Sequence, residues 1–216
     1  MSKNGFLNII GGLLGFETPE KKRKRAFTDK INQLTEEVKA FKVNLVSTQQ
    51  KEFELLSLKV DVLQKMRRRK PKVLRLSNIY HEPLFVSIED LVSRSSEDVA
   101  LKIFSRDGVY SYWIRPDYVS IWNGSNFWGN LLPDGRFIYK NNKAVGQIKA
   151  NNQSERLEIH VSNELQAAID LSHEEIKEST RALSYAYFNT ESTYELSRIL
   201  ILFILSNPTA SFKLNL

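Results

Sequence analysis

Residues 18–70 read TPEKKRKRAFTDKINQLTEEVKAFKVNLVSTQQKEFELLSLKVDVLQKMRRRK, and the fold turns on how this stretch is read. Thr18 is a good helix N-cap, Pro19 suits the first helical position, and Glu20 puts an acid in the first turn. From Glu20 to Lys70 there is no Gly or Pro, and Pro71 closes the run. Phe27, Ile31, Leu34, Val38, Phe41 and Leu45 recur at alternating steps of four and three, the a/d seam of a coiled coil. Near Gln49 and Gln50 the seam slips by one residue. Phe53, Leu56, Val60 and Leu63 resume it in a new register, and Leu55, Leu58 and Val62 widen the apolar face. The spacing predicts one basic helix over 19–70 that joins copies of the chain into a homo-oligomer. The competing reading folds the same amphipathic helix back onto its own domain.

Charge is distributed unevenly. Residues 20–75 carry 17 Lys/Arg against 7 Asp/Glu, while the rest carries 14 against 18. The basic excess sits in two runs, Lys21-Lys22-Arg23-Lys24-Arg25 and, over 65–75, Lys65, Arg67, Arg68, Arg69, Lys70, Lys72 and Arg75. Such runs point to an anionic partner, either nucleic acid or a membrane surface. Cations at a helix C-terminus also complement the macrodipole, which explains part of the second run without a partner.

Upstream, residues 5–16 read GFLNIIGGLLGF. If helical, Phe6, Ile9, Ile10, Leu13 and Leu14 share a face, and the glycines fall mostly opposite. The segment is too short to span a bilayer but suits an interfacial contact with lipid or with a partner. A polybasic run follows at once, so both signals of a peripheral anchor are adjacent in sequence.

From 73 to 162 the period changes to strands. Val73–Leu76, Leu84–Ile88, Ala100–Phe104, Val109–Ile114, Val119–Trp122, Arg136–Lys140, Ala144–Lys149 and Arg156–Val161 are rich in β-branched and aromatic residues. Asp107-Gly108, Pro133-Asp134-Gly135 and Asn141-Asn142 are turn signals between them. Consecutive hairpins predict an antiparallel meander, forming a small barrel, a sandwich or a strongly curled sheet. Two C-terminal helices are expected, His173–Phe188 behind a Ser172/Glu175 capping box and Thr193–Leu205, the latter apolar all round and therefore buried. Ala210–Leu216 alternates like an edge strand. The expected organisation is α+β, with an apolar segment 1–18, a basic coiled-coil helix 19–70 and a β-rich domain 73–216.

Catalytic signals are lacking. Cys is absent, which removes thiol chemistry and disulfides and fits a cytoplasmic protein, free or membrane-associated. His81, His160 and His173 have no metal-ligand spacing, no glycine pattern makes a phosphate loop, and no G-x-S-x-G elbow occurs. The adjacent acids Glu89-Asp90 and Glu174-Glu175 diverge on strand or helix. No cofactor, metal or small-molecule substrate is expected. One cluster stands out: ten aromatics between Phe104 and Tyr139, among them Tyr110, Tyr112, Trp113, Trp122 and Trp128. These are candidate contacts for a partner protein or, by stacking, for nucleic-acid bases, with core packing as the plain alternative. The expectation is a non-enzymatic oligomeric adaptor that self-associates through its coiled coil and binds a partner protein through its β domain, in solution or at a membrane surface. The alternative is a nucleic-acid-binding protein that uses runs 21–25 and 65–75 as phosphate contacts.

Overall fold

The computed structural model describes residues 17–41, 43–47, 56–67, 70–78, 80–151, 156–170 and 191–206. The fold is α+β. Helix α1 (Pro19–Val38) ends in a 3₁₀ turn, Lys39–Phe41. An antiparallel meander follows: β1 (Leu56–Gln64), β2 (Lys72–Asn78), β3 (Pro83–Leu91), β4 (Val99–Ser105), β5 (Val109–Ile114), β6 (Val119–Asn123), β7 (Asn126–Leu131), β8 (Arg136–Tyr139), β9 (Ala144–Asn151), β10 (Arg156–Val161) and β11 (Glu164–Asp170). Helix α2 (Glu191–Leu205) follows. Every strand pairs with its sequence neighbour, and β1 and β11 are the two open edges.

The helix expected over 19–70 is therefore corrected. Its start is as expected, with the Thr18 hydroxyl accepting from the Lys21 amide at 3.3 Å and Pro19 in the first turn. Its end is not. Leu56, Val60 and Leu63, three of the second-register seam residues, lie in β1, and Leu63 packs beneath α1. Phe53 lies outside the described residues. The sequence 56–62 alternates apolar and polar as Leu, Ser, Leu, Lys, Val, Asp, Val, which is strand periodicity. The apparent slip near Gln49 marks the passage from one period to the other. Arg67 and Lys70 bridge to each other through both backbone hydrogen bonds, so the second basic run occupies the β1–β2 hairpin rather than a helix end.

Eleven strands form, the eight read in the sequence together with β1, β7 and β11. Gly129 in β7 passes so close to β8 that a Cβ would lie 2.1 Å from the Ile138 carbonyl oxygen. Ser162 and Asn163, with φ of 54° and 67°, turn β10 into β11. The turns read at Asp107-Gly108, Gly135 and Asn142 are present. Of the two C-terminal helices, the apolar one is α2; residues 173–188 and 210–216 lie outside the described residues.

The two faces of the sheet are covered differently. On the inner face, Tyr110, Tyr112, Ile121, Phe137, Ile148 and Ile159 are buried around Ile199, Leu200, Leu202 and Phe203 of α2. α2 reaches β3 through Arg198 over the Phe85 ring (5.5 Å), β5 through Tyr112, whose hydroxyl donates to the Ile199 carbonyl (2.9 Å), and also packs on β10 and β11. Strands β3 to β11 laid flat would span roughly 38 Å at ~4.8 Å each, several helix diameters. The sheet must therefore curl around α2. On the outer face, α1 covers β2 to β6. Phe27, Ile31 and Leu34 are buried against Val73, Val86, Ile88, Ala100 and Trp113, with Val38, Phe41 and Leu45 packed at the margin. The first half of the coiled-coil seam thus faces the chain's own sheet.

Candidate anion-binding surface

Antiparallel register assigns each loop to one end of the sheet. The turns β1–β2, β3–β4 and β5–β6 share one end, here the basic end; Tyr80 and the Asp107 and Asn126 turns share the other. Helix α1 begins at the basic end, and ion pairs hold it there. The Arg115 guanidinium, at the β5–β6 turn, donates to both Glu20 carboxylate oxygens at 3.1 and 3.0 Å. Arg23 donates to Asp98, just before β4, at 2.7 and 2.9 Å, and Lys30 to Asp90, near the end of β3, at 3.0 Å. Asp98 is buried and also accepts from Trp113 Nε1 at 3.0 Å. Arg115 stacks over Trp113 (4.5 Å) and Tyr118 (4.8 Å). A groove lined by Arg23, Ser93, Ser95, Ser96 and Asp98 lies beside these pairs. Its Arg23 and Asp98 already satisfy each other, and Glu97, which also lines it, is a second acid.

Both basic runs therefore lie at one end of the molecule, although forty residues separate them in sequence. Within the first, Arg23 is bound to Asp98, while Lys21, Lys22, Lys24 and Arg25 are exposed. Within the second, Lys72 is paired to Glu89 and Arg75 to Asp61. Lys65, Arg67 and Lys70 are exposed, and Arg68 and Arg69 lie outside the described residues. Arg94 in the β3–β4 loop adds another exposed cation between them. None of these exposed cations takes part in an ion pair among the described residues. The exposed acids nearby that also lack a partner among the described residues are Glu17, Asp29, Glu97 and Asp117. The hairpin and α1 are about three strands apart, roughly 14 Å. Sequence reasoning found both runs; only the register of the sheet brings them together.

The aromatic candidates divide. Tyr110 and Tyr112 are buried on the inner face, and burial pushes both phenols up, Tyr112 furthest. Trp113 is buried under α1, where Phe27 stacks on it at 5.1 Å. These three are core and offer no surface to a partner. Trp122 is half-buried against Phe27 (5.2 Å), and Trp128 is half-buried and edge-on to Tyr139 (6.3 Å). Phe127, at the other end and 37% exposed, is the aromatic of this stretch that reaches solvent most, and the sequence offered no reason to single it out.

Phe6, Ile9, Ile10, Leu13 and Leu14 lie outside the described residues. Among the described residues no three His, Asp or Glu side chains are grouped to hold a metal ion, and no helix is long and apolar enough to cross a membrane. His160 contacts Glu158 at 2.9 Å; hydrogen bonds from Asn151 and His160 pull the Glu158 carboxyl down. No protein-family model, curated protein or solved structure matches the chain.

Proposed function

We propose that the protein is a non-enzymatic adaptor that docks on a polyanionic partner through the basic end of its sheet. The observation that carries this is the convergence of two separate basic runs on one end, with their exposed members left without ion-pair partners among the described residues. Their positions are costly rather than convenient. Lys21, Lys22, Lys24 and Arg25 occupy the first two turns of α1, where the helix dipole disfavours cations. The second run is in a hairpin, so the dipole explanation offered for it no longer applies. Charge repulsion between the two clusters adds to the cost, and a polyanion would relieve both. The buried charges Asp98, Arg115 and Arg198 are spent on holding the helices to the sheet, as Arg198 does through Ser105 (3.1 Å). This adaptor works with α1 seated on its own sheet, not shared with a second copy.

The test is the salt needed to elute the chain from a sulfated polysaccharide resin. Replacing Lys21, Lys22, Lys24 and Arg25 with Gln should lower that salt, replacing Lys65, Arg67 and Lys70 should do likewise, and the combined variant should lose most retention. The control replaces Arg106, Lys140 and Lys143, exposed cations of the other end. An equal loss in the control would refute a localised site.

A further inference from the structure

Resting on that polyanion-binding reading, we infer that the partner is double-stranded nucleic acid, held through the phosphates of both its strands and without regard to base sequence. The two cationic clusters are carried by rigid elements. Glu20 bound to Arg115 and Arg23 bound to Asp98 fix the first turns of α1 to the sheet. The hairpin continues the β1–β2 ladder and is closed by the pairing of Arg67 with Lys70. Helical phase puts Lys21, Lys22, Lys24 and Arg25 on the side of α1 away from its buried Phe27, Ile31 and Leu34. The clusters therefore keep a fixed separation of roughly 14 Å, with Arg94 of the β3–β4 loop exposed between them. A duplex presents the matching pattern. Its phosphates form two rows that border grooves about 12 and about 6 Å wide. Long Lys and Arg side chains bridge the difference in spacing, so both rows can be met at once. A flexible acidic peptide has no fixed charge spacing to match, and a small anion could satisfy only one cluster.

The same end is poorly equipped for other polyanions. Single-strand binding relies on exposed aromatic faces between phosphate contacts. The exposed large aromatics among the described residues, Tyr80 and Phe127, are at the opposite end, and Tyr118, at the basic end, lies against Arg115. Stable attachment to a bilayer needs an apolar element beside the cations. Among the described residues, the large apolar side chains exposed near this end are Val62 and Leu91, on strands separated by β2, which is too little for an inserting patch. What the end does offer is cations alone. Contacts from such groups to phosphates position a duplex without reading its bases.

The experiment is fluorescence anisotropy of a DNA duplex of about twenty base pairs, two helical turns, titrated with the full chain at several salt concentrations. Affinity should fall with salt on a log–log slope of about −5 to −7, as expected when roughly six to eight phosphates are neutralised. The Gln variant of α1 should make that slope shallower by about 3 to 4, and the Gln variant of the hairpin by about 2 to 3. Duplexes of unrelated sequence should bind equally, and a single-stranded oligothymidine of the same length should bind more weakly. If the hairpin variant keeps the parent slope, the duplex does not span both clusters and the inference fails. It fails equally if the single strand binds as tightly as the duplex. If the chain is retained on the sulfated resin and floats with phosphatidylserine vesicles but binds no duplex, the polyanion is a bilayer and the adaptor reading survives. Binding to neither resin nor duplex would overturn both.

Discussion

The two helices lie on opposite faces of one sheet and are held by different chemistry. α2 carries Ile199, Leu200, Ile201, Leu202 and Phe203 buried in succession, so every side of it meets protein. It is the post around which the strands curl. α1 buries a stripe, Phe27, Ile31 and Leu34, and holds its margins with Arg23–Asp98, Lys30–Asp90 and Arg115–Glu20. Its outer side stays in water, and there the cations of its first two turns are exposed. An all-apolar helix can only be structure. An amphipathic helix on an outer face is structure on one side and free to act on the other, so the functional proposal attaches to α1 and not to α2.

Three substitutions would break or sharpen that contrast. The largest effect is expected in α2. Leu200→Asp puts a carboxylate into the inner core, with Leu196 and Ile204 one turn away on the same face, and the cost should be several kcal/mol, of the order of the ~5–15 kcal/mol that stabilises a whole domain. No cooperative melting transition should remain; a folded, melting variant would show that α2 is dispensable.

A smaller and more local loss is expected at Leu34→Asp, about 3–5 kcal/mol. Amide exchange should rise across α1 while β4 to β6 keep their protection, because α2 and the inner core are untouched. Solution mass should not change. A drop in mass with α1 still protected would return the Phe27–Leu45 seam to an interface between copies of the chain.

The smallest effect is expected at Lys102. Its ammonium donates to the Thr35 hydroxyl at 2.6 Å, and burial lowers its pKa from 10.5. The unfolded chain therefore holds this proton more tightly than the folded one. Lys102's contribution to stability should rise as pH climbs through the lowered value and level off above 10.5, while the raised Tyr110 and Tyr112 phenols pull the other way, so the gain is read as the difference between the parent chain and a Lys102 variant. Lys102→Met should change stability at neutral pH by less than about 1 kcal/mol, because Thr35 still donates to the Ile31 carbonyl at 2.7 Å. It should also remove the alkaline gain, which urea titrations at neutral and alkaline pH would show. A larger neutral-pH loss would make the Lys102–Thr35 bond a principal tie of α1.

Much of the fold was legible where local chemistry is strong. The Thr18-Pro19 start, the turns at Asp107-Gly108, Gly135 and Asn142, and the apolar run of α2 each follow from backbone preference or from burial of a continuous apolar segment. β1 was missed because alternating Leu56, Leu58, Val60 and Val62 can also be threaded onto a three-four seam when no Gly or Pro marks the break. β7 was missed because Asn126, Gly129 and Asn130 carry little strand propensity, and it is held by its neighbours' ladders instead. Tyr110, Tyr112 and Trp113 looked like a surface because alternation predicts one wet face, whereas α1 and α2 dry both.

By itself the sequence determined the ingredients: an amphipathic helix with a valid start, a meander of hairpins, an apolar helix that must be buried, two basic runs and an uncharged apolar segment ahead of them. Only the tertiary structure decided how they combine. Strand register is a long-range property, and the side on which a loop emerges depends on every pairing before it. That is why the Phe27–Leu34 stripe met the chain's own sheet, and why charges forty residues apart came to share one end of it.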